Sequence, residues 1–174
     1  MKTTDKLSKR ASLKAAELHK GQTYGDTTYM AGHLLKVASI LIRQGWSSDE
    51  EMLAAAWLHD AIEDTEATYT SVKEGFGASV AEMVLAVSGG GGNRRERSGR
   101  KIRGVLLHQK ALPLALADRI ANVESCWRTR DRRLFMYHKE YRGFRAALYR
   151  PEEGDPRVTS LWGQLDALMG KEER

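Results

Sequence analysis

Apolar residues recur three and four positions apart along this chain, β-branched runs are scarce, and the only prolines are Pro113, Pro151 and Pro156, so the pattern predicts helices. Helices are expected over 5–20 and 29–44, the second carrying an apolar stripe of Leu34, Val37, Ala38 and Leu41 and ended by Gly45. Ser48 and Glu51 have the spacing of a capping box, which would open a third helix running to about residue 63. Shorter helices over 68–74 and 78–87 follow, separated by Gly75 and Gly77. The glycines at 89–92 form the most flexible point. Helices over 94–109, 112–128, 135–149 and 158–169 complete an all-α bundle, with Pro113 in the first turn of its helix.

At 174 residues the chain suits one domain, 1–174, able to bury a core without disulfides or structural zinc. The lone Cys126 has no partner within the chain, and residues 1–10 are polar rather than signal-like. No stretch approaches the roughly 20 apolar residues of a membrane span. A reducing, cytoplasmic setting without a membrane partner is therefore expected. Lys and Arg outnumber Asp and Glu by 28 to 23, which favours anionic partners: nucleotides, polyphosphates or nucleic acid. The basic residues concentrate at 94–103 and 128–133, on either side of the segment that carries Asp118. The glycine run lacks a following Gly-Lys-Ser/Thr and a preceding strand, so it reads as a connector that could act as a lid, not as a phosphate loop.

His59 and Asp60 end the run Ala54, Ala55, Ala56, Trp57, Leu58, which reads as buried. A carboxylate entering such a run needs a partner, because an uncompensated buried charge is costly, and a divalent cation would serve. On a continuous helix Glu63 and Asp64 lie four residues after His59 and Asp60, placing all four groups along one edge. His33 in its apolar helix and Asp118 after Ala115, Leu116 and Ala117 also need buried partners, although each alone would suit a hydrogen bond within the core. Two imidazoles and two carboxylates without sulfur fit manganese, iron or another moderately hard divalent ion better than thiolate-type zinc. Asp118, Asn122 and Ser125 recur at intervals of four and three, so a ligand, an amide and a hydroxyl share a helix face.

The stretch His59-Asp60-Ala61-Ile62-Glu63-Asp64-Thr65 resembles the HD hydrolase domain of the RelA/SpoT homologues, including the small stand-alone alarmone hydrolases. The resemblance covers a core of about 10–126, with C-terminal helices over about 130–170 beyond it. It extends through His19-Lys20-Gly21-Gln22, His33, Phe76-Gly77-Ala78-Ser79-Val80 and Leu116-Ala117-Asp118-Arg119-Ile120-Ala121-Asn122. It implies an all-helical HD-domain bundle and a Mn2+ ion held by His33, His59, Asp60 and Asp118. It further implies that Glu63 and Asp64 assist the attacking water and that Asn122 and Ser125 contact the nucleotide. The chain departs from the family where Tyr24-Gly25-Asp26 replaces an Arg-Lys type pair that grips guanosine nucleotide, and where Thr28-Tyr29-Met30 stands near the usual Pro-Tyr. Tyr24 could stack on a base in place of the arginine, or cover the first helix.

The expected chemistry is attack of a cation-activated water, oriented by Glu63 and Asp64, on a phosphorus atom. Arg94, Arg97 and Lys101 are candidates to neutralise the phosphates. The first reading is removal of the 3′-pyrophosphate from guanosine tetra- or pentaphosphate. A second keeps the metal but takes another nucleotide, such as a deoxynucleotide or a phosphorylated dinucleotide cofactor. A third makes the basic runs a nucleic-acid-binding surface, with Trp127 as its one candidate for base stacking. Phe135, Tyr141, Phe144, Leu148, Leu161, Leu165 and Leu168 have helical spacing and are expected to complete the core or form a homo-oligomer interface, with His138 at the surface.

Overall fold

The computed structural model of the chain describes residues 6–150 and 154–170. Positions 1–5, which include the expected start of the first helix, and Pro151 lie outside them.

The fold is all-α, with one small hairpin. Helix α1 (Leu7–Leu18) buries Ala11 and Ala15 and lies along α3 (Glu50–Leu58), where Ala54, Ala55 and Ala56 are fully buried. Small side chains on both helices let the backbones come close. Between them the chain makes an antiparallel hairpin, β1 (Thr23–Tyr24) and β2 (Thr27–Thr28), with Tyr24 opposite Thr27 and Gly25 at φ +61° in the turn. The expected helix over 29–44 is present as α2 (Leu35–Leu41) flanked by two π-helical turns, Met30–Leu34 and Ile42–Trp46.

The start of α3 corrects the expected capping box. Asp49, not Ser48, is the cap, its carboxylate accepting from the Met52 amide at 2.9 Å. Glu51 is drawn away to Ser79 and Lys110 on other elements. The third helix also stops earlier than expected: α3 ends at Leu58, His59 and Asp60 form a turn, and a separate short helix α4 (Ala61–Asp64) follows.

The remaining helices are α5 (Tyr69–Phe76, capped by Thr68), α6 (Ala78–Val87), α7 (Arg94–Leu107) and α8 (Leu112–Thr129), then α9 (Arg133–Leu148) and α10 (Pro156–Met169). Asn93 and Glu96 cap α7 reciprocally, and a 3-10 turn, Gln109–Ala111, leads into α8. At Gly104 of α7 a Cβ would stand 2.2 Å from the Ala86 carbonyl oxygen of α6, so this crossing admits only glycine. Helix α8 is the central element, packing on α2, α9 and α10 with Leu114, Leu116, Ala117, Ile120 and Val123 wholly buried.

The C-terminal residues largely do as expected: Phe144, Leu148, Leu161, Leu165 and Leu168 are in the core and Tyr141 packs against it. Phe135 is outside the core, 76% exposed in the first turn of α9. Trp127 gives its indole N–H to the Leu168 carbonyl and meets His138 edge-on, which ties it to α10 and leaves it poorly placed to stack on a base. No helix of the described residues is long and apolar enough to cross a membrane.

Candidate metal centre and active-site cavity

His33 comes from the π-helical turn before α2, His59 and Asp60 from the turn after α3, and Asp118 from the middle of α8. Both imidazoles are almost fully buried, and their Nε2 atoms face each other at 3.1 Å. Asp60 Oδ2 lies 3.3 Å from His33 Nε2 and 3.0 Å from His59 Nε2. Asp118 Oδ1 approaches the same two nitrogens at 3.2 and 3.7 Å. Ligand atoms of His33, His59 and Asp60 all fall within 4.8 Å of one another, with Asp118 beside them.

This donor set fits a divalent cation. His59 Nδ1 is 2.9 Å from the Ala56 carbonyl, which can only accept, so Nδ1 carries the proton and Nε2 presents a lone pair. A second imidazole nitrogen and two carboxylate oxygens crowd that lone pair, an arrangement stable only with positive charge at its centre. The ionisation of the groups reflects the same demand. Burial alone would depress His59, but Asp60 and Asp118 overcome it and hold the imidazole well above its ordinary value, and His33 is raised in the same way. Burial would likewise raise Asp60 and Asp118, yet the two imidazoles hold both below the usual carboxylate range.

A cavity of about 430 Å3 opens from these residues and is lined by Asp60, Glu63, Asp64, Arg94, Arg97 and Lys101, among others. Glu63 is engaged: one oxygen accepts from the Gly89 amide at 2.8 Å and faces the Lys101 ammonium at 3.0 Å. The expectation that Glu63 and Asp64 continue one helix edge with His59 and Asp60 is corrected by the break at 59–60, although Asp60, Glu63 and Asp64 still meet at the cavity. Burial, then the charges of Asp60 and Glu63, push the Asp64 carboxyl above its ordinary value.

The basic side chains differ in availability. Arg94 makes a two-bond pair with Glu140, both at 2.8 Å, and Lys101 is paired with Glu63, while both still line the cavity. Arg97 lines the cavity with its Nε buried and without a hydrogen-bond partner among the described residues. The glycine run is more tethered than a free connector, since Arg100 donates to the carbonyls of Gly89 and Gly91. Asn122 lines the cavity, whereas Ser125 is buried and absent from its wall. The Tyr24 ring stacks on His33 at 5.1 Å and 16°.

Three further residues of the cavity wall, Tyr29, Arg119 and Tyr137, and Glu140 behind them carried no assigned role in the sequence. Arg119 is sandwiched between the rings of Phe144 and Tyr137 and faces Glu140 at 3.3 Å. Tyr29 donates its hydroxyl to Asp60 Oδ2 at 2.6 Å. Arg119 stood within the quoted Leu-Ala-Asp-Arg stretch and Tyr29 four residues before His33. Tyr137 and Glu140 carried no signal, because only the docking of α9 brings them here.

The HD-domain family profile matches residues 11–142. This chain belongs to the HD-domain family. His33, the His59–Asp60 pair and Asp118 all lie within the matched span of this HD-domain chain. It is 45% identical over 83 residues to the Escherichia coli bifunctional (p)ppGpp synthase/hydrolase SpoT, covering 48% of this chain and 12% of that one. To the zebrafish guanosine-3′,5′-bis(diphosphate) 3′-pyrophosphohydrolase it is 42% identical over 77 residues, 42% of each chain. To the Drosophila melanogaster protein of the same description it is 32% identical over 113 residues, 63% of each. The chain thus spans less than two thirds of the length of these relatives. Among solved structures, a metazoan SpoT orthologue described as hydrolysing ppGpp superposes with a TM-score of 0.73 over 91% of this chain and 95% of its own, at 24% identity. A Listeria monocytogenes protein superposes with a TM-score of 0.62 at 27% identity, over 80% of this chain and 99% of its own.

Proposed function

We propose that this HD-domain chain is a Mn2+-dependent phosphohydrolase that removes the 3′-pyrophosphate of guanosine tetra- or pentaphosphate, giving GDP or GTP and pyrophosphate. The observation that carries this reading is the convergence of His33, His59, Asp60 and Asp118 at the floor of a cavity walled by Arg94, Arg97 and Lys101. The relatives described as (p)ppGpp 3′-pyrophosphohydrolases supply the substrate class.

His33, His59, Asp60 and Asp118 would hold the ion, which supplies Lewis-acid polarisation of the phosphoryl oxygens and activation of water. Asp64, whose carboxyl is pushed upward by burial and by Asp60, is suited to accept the proton of the attacking water near neutral pH. The water oxygen bonds to phosphorus, the bond to the ribose 3′-oxygen breaks, and that oxygen leaves with a proton. Arg97, with a buried donor still free, is suited to meet the phosphate charge. Glu63, held by Gly89 and Lys101, sets the position of the acidic turn. The buried free thiol of Cys126 accords with a reducing, cytoplasmic setting.

A second substrate reading is favoured by one observation. The hairpin offers the cavity Thr23 and Tyr24 in place of the Arg-Lys type pair usual in the alarmone hydrolases the sequence resembles, which widens the candidates to other anionic nucleotides. The test is Mn2+-dependent turnover of guanosine tetraphosphate, with pyrophosphate resolved from single phosphate and Asp60→Ala alongside. Pyrophosphate release abolished by the substitution is the expected result. Release from another nucleotide alone would transfer the reading to that substrate, and no release from any nucleotide would overturn it.

A further inference from the structure

The hairpin carries two tyrosines, and each leads to a different carboxylate of the metal centre. Tyr29 donates directly to Asp60 Oδ2 at 2.6 Å, and its oxygen lies 3.4 Å from Asp64 Oδ2. Tyr24 donates to Asn122 Oδ1 at 2.8 Å, and Asn122 Nδ2 in turn donates to Asp118 Oδ1 at 2.6 Å. The direction of this second chain is forced. An ionised carboxylate only accepts, so Asn122 must turn its NH2 to Asp118, leaving its carbonyl oxygen to accept from the Tyr24 hydroxyl. In both cases the oxygen so held is the one turned toward the imidazole nitrogens.

We propose that Tyr24 and Tyr29 are positioning residues for the metal, Tyr29 bracing Asp60 and Tyr24 bracing Asp118 through Asn122. The inference rests on the metal-dependent reading above and gives the hairpin a role other than gripping nucleotide. Outer-shell hydrogen bonds of this kind fix the rotamer of a ligand and so set metal affinity.

The surroundings of both tyrosines are built for this. The Tyr29 ring stacks on the buried His19 at 4.9 Å and 15°. His19 Nδ1 pairs with Gln22 Oε1 at 2.8 Å, and Gln22 Nε2 donates to the Asp64 backbone carbonyl at 2.9 Å. The His19 and Gln22 of the quoted sequence motif thereby lock the base of the hairpin to the acidic turn. Tyr24 is pressed on the His33 ring because Gly32 lacks a side chain: a Cβ there would meet Thr27 Oγ1 at 2.5 Å and Tyr24 Cβ at 2.8 Å. Asn122, with oxygen and nitrogen both committed, is placed to support Asp118 rather than to bind nucleotide.

The test is Mn2+ titration of the metal-stripped full chain, followed by the electron paramagnetic resonance of the free ion, for wild type, Tyr24→Phe and Tyr29→Phe. Each variant keeps its ring and loses only the hydroxyl. Each is expected to weaken Mn2+ binding by about 10-fold or more, while the KM for guanosine tetraphosphate at saturating Mn2+ stays within about twofold of wild type. Wild-type binding with unchanged affinity in both variants overturns the brace and leaves the metal reading standing. A wild-type chain that takes up no Mn2+ overturns both. A raised KM in Tyr24→Phe with unchanged metal affinity makes Tyr24 a nucleotide contact and likewise overturns the brace. If Tyr29→Phe melts below the assay temperature, Tyr24→Phe alone decides.

Discussion

The two walls of the cavity are finished to different degrees. On the wall formed by the hairpin, the 59–64 turn and α8, the metal-centre groups are held by neighbours, His59 by Ala56, Asp60 by Tyr29, Asp118 by Asn122 and Asn122 by Tyr24, and the buried nitrogens without a partner among the described residues, His33 Nδ1 and His19 Nε2, belong to imidazoles. Toward α7 and α9, Arg94 of α7 and Arg119, which α8 sends across to that side, share the single carboxylate of Glu140, while Arg97 Nε and Arg119 Nη1 are buried without a partner among the described residues. Buried donors left unpaired cost about 1–3 kcal/mol each. The carboxylates of the first wall are therefore held before any ligand arrives, whereas the unpaired donors of the second belong to guanidinium cations and suit an anion. A site with this asymmetry keeps its reacting geometry rigid and gains its substrate binding by satisfying the unpaired cations.

The largest effect should come from Asp60→Ala. Removal of one ligand from the finished wall is expected to abolish Mn2+ uptake and to lower turnover at least about 100-fold, as measured by metal titration and pyrophosphate release. Retained turnover would mean that this wall is not the centre of the chemistry.

Gly32→Ala tests the same wall through its packing. The added methyl must displace Tyr24 or Thr27, so a loss of about 1–3 kcal/mol of stability is expected, together with weaker Mn2+ binding. Gly104→Ala, at the close crossing of α6 and α7, should cost a similar amount in thermal unfolding without changing Mn2+ affinity. Equal effects of the two on the metal would erase the distinction.

Arg97→Ala addresses the other wall. Loss of a charge-assisted contact of about 1.5–3 kcal/mol should raise the KM for the nucleotide roughly 10-fold or more while Mn2+ affinity is kept. Unchanged kinetics would remove Arg97 from the substrate site.

The smallest effect is a displacement in pH. A carboxylate accepts a proton only when ionised, and the folded protein raises the Asp64 carboxyl above its ordinary value. The acid limb of kcat/KM should therefore fall away at a pH above the ordinary carboxylate range, and that limb should be lost in Asp64→Asn. The same raised value means that the ionised form of Asp64 is disfavoured by folding, so stability attributable to this group declines as pH rises past its unfolded pKa and levels off above its folded one. A limb at the ordinary carboxylate value would assign the proton acceptor elsewhere.

How much of this could be read beforehand follows from the range over which each signal acts. The helices over 78–87, 94–107 and 112–129 were legible because their apolar period and their glycine and proline boundaries are local. The hairpin was not, since strands of two residues are too short to show an alternation. The break between α3 and α4 has neither glycine nor proline to mark it, and the helix could only be expected to run on through His59 and Asp60. The misplaced cap shows the same limit: Ser48 and Glu51 had the right spacing, but Glu51 is claimed by Ser79 and Lys110. The pairing of Arg94 was equally hidden, because its partner Glu140 lies 46 residues away.

The sequence by itself determined the helical class, the HD resemblance and the chemical kinds of the metal donors, since these depend on local periodicity and on residue type. Only the tertiary structure decided that His33, His59, Asp60 and Asp118 share one point, that Tyr24 in the hairpin and Tyr29 just after it reach two of those carboxylates, and that Arg94 is paired with Glu140 while Arg97 keeps a buried donor without a partner among the described residues. Those facts depend on which helices pack together and on how side chains far apart in the chain divide a limited number of hydrogen-bonding partners, and no spacing along a single segment records such a competition.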